Sequence, residues 1–302
     1  MNTDNTSRPG KVVSVTSTAN PVVKHVRGLA LKKNRDAEGL FMAEGLKLVT
    51  EAMDSGWKIR TLIYSPASAS GQHLQQIAAR AKASGAHVLV ASDKVLSAIS
   101  RKDNPQMVIG VFEQRWSDGG HLAKLLTKPG DVVLALDRVR DPGNLGTIMR
   151  TADACGVGGM ILIGQTTDPY SLEAVRSSMG SVFNMPIARM SEEEFIKWKG
   201  SLPARLAGTH LEGAVDYRSI AWSGEPVLLL MGNEQQGLTE TLASACDDLV
   251  LIPMVGKADS LNLAIATGVL LFEIRRESLI MPDGKRSGSL SFSVDGSAGR
   301  ND

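Results

Sequence analysis

"DRVRDPGNLGTIMRTADACGVGG", Asp137 to Gly159, leaves one apolar run, "DVVLAL" (131–136), and enters another, "MILIG" (160–164). Continuous rather than alternating hydrophobicity reads as strands covered on both faces, as in a mostly parallel sheet. Between them the chain turns through Asp, Arg, Pro, Gly and Asn, then runs a helical stretch closed by Gly156. Leu145, Ile148, Met149 and Ala152 fall on one stripe that can pack on the sheet, and Arg150 projects on roughly the opposite side. Asn144 stands at the helix mouth, where a cap is chemically expected. The pattern predicts an α/β fold, and in open α/β sheets ligands gather beyond the carboxyl ends of the strands.

Two later strand ends carry similar polar loops. In "LLLMGNEQQGLTE" (228–240) a strand ends near Gly232, and Glu234 stands between Gly232 and Gly237, which permit a tight turn. In "VLIPMVGKADSLNLAIATGVLLFEIRR" (250–276) a strand runs into Pro253, and Ser260 and Asn262 precede an apolar helix that Ser260 could cap. Arg275 and Arg276 suit the far dipole end of that helix. Each loop alone is also what a turn, a cap or a solvated surface charge would look like. Three in one half of the chain, bringing Asn144, Arg150, Glu234, Ser260 and Asn262 into play, point to a ligand site.

The rest of the chain divides around that half. "KVVSVTS" reads as a strand and Asn20-Pro21 as a cap with proline opening a helix. Strands "IRTLIYS", "AHVLVAS" and "QMVIGVFEQ" alternate with helical segments up to Gln114. Gly119-Gly120 and Pro129-Gly130 are turn and linker signals. The expected organisation is a small α/β unit over 12–114, a linker over 115–129, a second α/β unit over 130–278 and a disordered tail over 279–302, rich in Gly, Ser and charge.

Composition narrows the chemistry. At 43% apolar and 22% charged residues, with no run near the roughly 20 apolar residues of a membrane span, the expectation is a soluble cytoplasmic protein. Two cysteines, Cys155 and Cys246, without CxxC spacing, give no zinc site or disulfide framework. No G-x-G-x-x-G follows a strand, and there is no Walker-type phosphate loop or G-x-S-x-G elbow. A net charge of +1 announces no polyanion partner, but "NPVVKHVRGLALKKNR" holds Lys24, Arg27, Lys32, Lys33 and Arg35 without an acid. On a helix these make a candidate RNA-phosphate face, where the plainer alternative is a solvated surface helix.

In this order, "DPGNLGTIMRTADACG", "LLLMGNEQQGL" and "LIPMVGKADSLNLAIATGVLLFE", with "AVRSSMGSVFNMPI" (174–187) between, resemble the SpoU (TrmH) family of RNA ribose methyltransferases of the SPOUT class. The likeness covers most of 130–278, and "STANPVVKHVRGLALKKNR" is similar to the start of the RNA substrate-binding domain often joined to these enzymes. The resemblance implies a deep trefoil knot in the second unit and a homodimer formed through it. It implies S-adenosylmethionine as cofactor, held around Leu230, Met231, Gly232, Gly237, Ile252, Met254 and Leu261.

The implied reaction is methyl transfer to a ribose 2′-hydroxyl, with ribosomal RNA favoured over transfer RNA, and no metal or membrane partner. Arg150 matches the family's catalytic arginine, in cis or across the dimer, and Asn144, Glu234, Ser260 and Asn262 match its other polar positions. A guanidinium stays protonated to above about pH 12, so an anchoring and alkoxide-stabilising role fits it better than that of a general base. The different-class alternative is an RNA-binding or ribosome-assembly protein without catalysis.

Overall fold

The computed structural model describes residues 10–68, 71–100, 106–212 and 214–279; the tail expected to be disordered lies, but for Leu279, outside them. The first sheet contains β1 (Val12–Val15), β2 (Leu40–Glu44), β3 (Ile59–Tyr64), β4 (His87–Ala91) and β5 (Val108–Glu113). Its order is β1-β4-β3-β5-β2, with β5 antiparallel to both neighbours and the other pairs parallel. Helices α1 (Pro21–Gly28), α2 (Lys32–Glu38), α3 (Leu46–Asp54), α4 (Gln72–Ala83) and α5 (Asp93–Ser100) connect these strands. Asn20 caps α1 as its sequence predicts, accepting from the Val22 N–H at 2.9 Å.

The stretch 115–129 contains a short helix, α6 (Gly119–Ala123), whose buried Leu122 packs with Leu126 on the second sheet. That sheet holds β6 (Val132–Asp137), β7 (Gly159–Ile163), β8 (Ile187–Met190), β9 (Arg205–Thr209), β10 (Val215–Asp216), β11 (Val227–Met231) and β12 (Asp248–Leu251). Its order is β10-β12-β9-β11-β6-β7-β8, and every pairing is parallel. β6, β7 and β11 are buried along their whole length, which is why their sequences read as continuous apolar runs. Helices α7 (Pro142–Ala154), α8 (Leu172–Ser177), α9 (Glu192–Lys199), α10 (Glu240–Ser244) and α11 (Leu263–Ile274) complete this half.

α7 buries Leu145, Ile148, Met149 and Ala152, the stripe read from the sequence. Its N-cap is Asp141, whose Oδ1 accepts from the Asn144 N–H at 2.6 Å, so Asn144 lies inside the first turn and is not the cap. Gly146 lets α8 cross closely: a Cβ there would stand 2.5 Å from Ser177 Cβ and 2.6 Å from the Ala174 carbonyl oxygen.

One apolar core runs through both halves, joining Phe41, Trp57 and Phe112 of the first to Tyr170 and Phe183 of the second. Trp57 Nε1 donates to the Phe183 carbonyl at 2.9 Å across this junction. Arg35, expected on an exposed RNA-facing helix, is 4% exposed and belongs to the junction. Its Nε and Nη2 each reach Asp168 Oδ2 at 2.7 Å, and Nη1 donates to the carbonyls of Leu29 at 2.9 Å and Ala30 at 3.0 Å. A buried carboxylate needs a fixed cation, and Arg35 supplies it. The basic stretch is also two helices, α1 and α2, broken at Leu29–Leu31.

Candidate active site

Three carboxyl ends of the second sheet, those of β6, β11 and β12, meet at one edge. The loop after β6 opens α7 with Asn144, the loop after β11 presents Glu234, and the long connection after β12 ends at Asn262, the N-cap of α11. Asn262 Oδ1 accepts from the N–H groups of Ala264 at 2.9 Å and Ile265 at 3.3 Å, while its Nδ2 donates to Asn144 Oδ1 at 2.9 Å. Asn144 Nδ2 in turn donates to Glu234 Oε1 at 3.4 Å. Asn262 and Glu234, 118 and 90 positions from Asn144 in the chain, thus form one line with it, Asn262 to Asn144 to Glu234. Ser260, which the sequence offered as the cap of this helix, is not its cap and lies on the exposed connection.

Through Glu234 this line reaches the wall of a cleft of about 600 Å³. Its walls include Met231, Gly232, Gly237, Ile252, Met254 and Leu261, six of the positions expected to surround a cofactor, and Ser260 lies on the same wall. Leu230 does not line it: that side chain is fully buried on the other face of the sheet with Val133, Ala135 and Ile161. Alternation along a strand dictates this, since neighbouring residues point to opposite faces. Gly232 is sterically required, because a Cβ there would stand 2.6 Å from the backbone at Gly237 and Leu238. Thr209 and His210, at the end of β9, also line the cleft; the short run "AGTH" carries no signal by which a sequence would reveal them.

A smaller recess next to it is lined by Arg140, Asp141, Asn144, Glu234 and Asn262 and shares the wall Asn233–Gln235 with the cleft. The Asn233–Gly237 loop is closed by reciprocal backbone bonds of 3.1 and 3.0 Å between Asn233 and Gly237. Beneath it, the Arg138 guanidinium is held above its ordinary range by its hydrogen bond to Asp137.

Arg150 is exposed on α7, and its side chain makes no hydrogen bond or ion pair with another described residue. It follows Asn144 by six positions, so at about 100° and about 1.5 Å per residue the two side chains leave the helix roughly 120° and 9 Å apart. The single chain therefore sets Glu234 and Ser260 on the cleft and Asn144, Glu234 and Asn262 on the recess beside it, and directs Arg150 elsewhere. Lys24, Arg27 and Lys33 are exposed on α1 and α2, and Lys32 is exposed in an ion pair with Asp36 at 2.5 Å. Among the described residues there is no group of three His, Cys, Asp or Glu able to hold a metal ion, and no helix long and apolar enough to cross a membrane.

Residues 131–272 match the SpoU rRNA Methylase family, and residues 20–110 match the MRM3-like substrate binding domain. The 23S rRNA (uridine(2479)-2'-O)-methyltransferase of Streptomyces viridochromogenes is 31% identical over 83% of this chain and 88% of that protein. The chain belongs to the SpoU rRNA methylase family. A second relative, the 23S rRNA (guanosine(2553)-2'-O)-methyltransferase RlmP of Bacillus subtilis, is 29% identical over 86% of this chain and 98% of its own length. The crystal structure of an AdoMet-bound rRNA methyltransferase from Sinorhizobium meliloti superposes with a TM-score of 0.84 at 55% identity, over 89% of this chain and 100% of that one.

Proposed function

We propose that this SpoU-family chain is an S-adenosylmethionine-dependent methyltransferase acting on a ribose 2′-hydroxyl of ribosomal RNA. The observation that carries this reading is the Asn262–Asn144–Glu234 line, which reaches the cleft wall through Glu234. The relatives' names supply the substrate class, and since one is named for a uridine and the other for a guanosine, the shared fold leaves the target base open.

The cleft fits the cofactor by its own chemistry. Its volume of about 600 Å³ lies within the range of roughly 300–1,000 Å³ usual for small-molecule sites. Met231, Ile252 and Leu261 offer apolar surface, and the cramped backbone at Gly232 allows main-chain polar groups to approach a ligand closely. When bound, S-adenosylmethionine supplies an activated methyl group, so the protein's own task is alignment and charge.

Asn144 has its Oδ1 committed to Asn262 and its Nδ2 turned to Glu234, so its amide cannot flip without losing both bonds. The pair therefore fixes the recess where a ribose would sit. Ser260, on the cleft wall, orients the hydroxyl. Arg150 anchors RNA phosphate and stabilises the alkoxide as the hydroxyl loses its proton. Lys24, Arg27, Lys32 and Lys33 contact more distant phosphates.

The reading includes a homodimer and the trefoil knot of the class. α11 exposes Ile265 (57%) and Phe272 (51%), seven residues apart on one face, and the connection leading into it exposes Met254 and Leu261. A second copy would cover this apolar surface and bring its Arg150 to the recess, which Arg150 of the same chain does not line. Support for the knot is the sheet order, in which β12 lies between β9 and β10 while α11 returns to pack on α7. In this reading the enzyme works in the cytoplasm, where its RNA is.

The test is methyl transfer from labelled S-adenosylmethionine to RNA and ribosomal particles from a strain lacking this protein, with mapping of the product. A 2′-O-methylnucleoside at one position of ribosomal RNA is expected. Cofactor binding without transfer to any RNA would leave a binding or assembly role.

A further inference from the structure

Arg138 is the first residue after β6 and holds φ at +49°, a region that side chains other than glycine seldom occupy. That turn folds the guanidinium back onto its neighbour: Nε donates to Asp137 Oδ1 and Nη2 to Asp137 Oδ2, each at 2.9 Å. The remaining N–H groups reach across to the loop after β11. Nη1 donates to Gln236 Oε1 at 2.8 Å and Nη2 to the Gly237 carbonyl at 3.1 Å.

The backbone of Arg138 takes part as well. Its carbonyl accepts from Asn233 Nδ2 at 2.8 Å, and Asn233 Oδ1 accepts the N–H groups of Gln235 at 2.9 Å and Gln236 at 3.1 Å. The loop that carries Glu234 is thus closed on itself and fastened to one arginine from below. The same loop supplies the wall Asn233–Gln235 between the cleft and the recess. Asp137 is 1% exposed and needs the guanidinium, so the anchor cannot swing away without leaving a buried carboxylate unpaired. An unfavourable φ persists where the surroundings over-determine it, and here the surroundings are the loop itself.

We propose that Arg138 is a positioning residue that holds the Asn233–Gly237 loop in its ligand-ready shape before cofactor or RNA arrives, and so sets Glu234 against Asn144. The proposal rests on the reading of the cleft as the S-adenosylmethionine site. It makes this loop a preformed wall and not a lid that closes on the ligand.

The experiment compares wild type, Arg138→Lys and Arg138→Met, each with and without Glu234→Ala. Lysine keeps a cation for Asp137 but cannot fork to Gln236 and Gly237 together, so the test survives if the methionine variant fails to fold. In the cofactor-free protein, hydrogen exchange at the amides of Gln235, Gln236 and Gly237 should accelerate by about tenfold or more in Arg138→Lys, with β6 and β11 protected as before. Calorimetric affinity for S-adenosylmethionine should fall by about tenfold, because the ordering of the loop then opposes binding. The loss in kcat caused by Arg138→Lys should shrink to less than about twofold in the Glu234→Ala background, since both act through one carboxylate.

Unchanged exchange at the loop amides, or equal kcat losses with and without Glu234, would overturn the proposal. Wild-type protein that binds no S-adenosylmethionine would instead overturn the reading of the cleft, and the exchange result would still decide what Arg138 does to the loop.

Discussion

Arg150 and Asn144 sit on the same helix, yet one is unengaged and the other is tied at both ends of its amide. Removing an exposed side chain without partners changes stability by less than about 0.5 kcal/mol, so Arg150→Ala should melt as wild type does. It should retain S-adenosylmethionine binding and lose turnover by about 10²–10³ or more, as loss of a charge-stabilising donor does; calorimetry and single-turnover transfer check both. Normal turnover with lost cofactor affinity would reverse the assignment. The cysteines give a second expectation. Burial pushes the Cys155 thiol up to about 11 and the Cys246 thiol up to about 12. A raised pKa keeps the neutral thiol at pH 8, and the thiolate is the reactive form, so iodoacetamide should label neither until urea is added. At this scale the order of three motifs pointed to a set of polar residues, and not to how Asn144, Glu234 and Asn262 touch. Arg35 shows why: it looks like Lys33 in the sequence, and its partner Asp168 lies 133 residues away.

Helix ends were legible only in part, whereas the buried face of α7 was read whole. Asn20-Pro21 announces its cap locally and the structure keeps it, whereas the cap of α11 falls on Asn262 although Ser260 is an equally good residue type. That cap has two jobs that a substitution can separate. Asn262→Ser keeps an oxygen for the helix N–H groups but has no Nδ2 for Asn144, so it should preserve the melting temperature and lower kcat. Asn262→Ala should also cost about 1 kcal/mol of stability. On α1 and α2, replacing Lys24, Arg27 and Lys33 by glutamine should weaken RNA binding and flatten the plot of log affinity against log salt by about 2, at roughly 0.7–0.9 per lost phosphate contact. An unchanged slope would make these ordinary surface charges. Arg35→Gln belongs to a different class: it leaves buried Asp168 with only the more distant Arg189, 3.6 Å away, and should cost about 3 kcal/mol, read as a fall in melting temperature.

The two sheets were legible as two runs of alternating elements, but the aromatic junction of Phe41, Trp57, Tyr170 and Phe183 was not, because it joins residues that have no local pattern in common. The same limit applies to the geometry on which catalysis depends. About 120° of helix separates Arg150 from Asn144, and the proposed homodimer resolves that separation by pairing the arginine of one copy with the cleft of the other. A mixing experiment decides it. Arg150→Ala and Asn144→Ala chains are each inactive alone under either arrangement. If the arginine acts across the interface, a mixed dimer has one site with both lesions and one site with none, so subunits exchanged at equal ratio should recover about a quarter of wild-type activity. If Arg150 serves its own chain, every site in the mixed dimer carries one lesion and nothing is recovered. Adding Phe272→Glu to both chains places a charge on the apolar face of α11 and should abolish the recovery, because the restored site exists only where two copies meet.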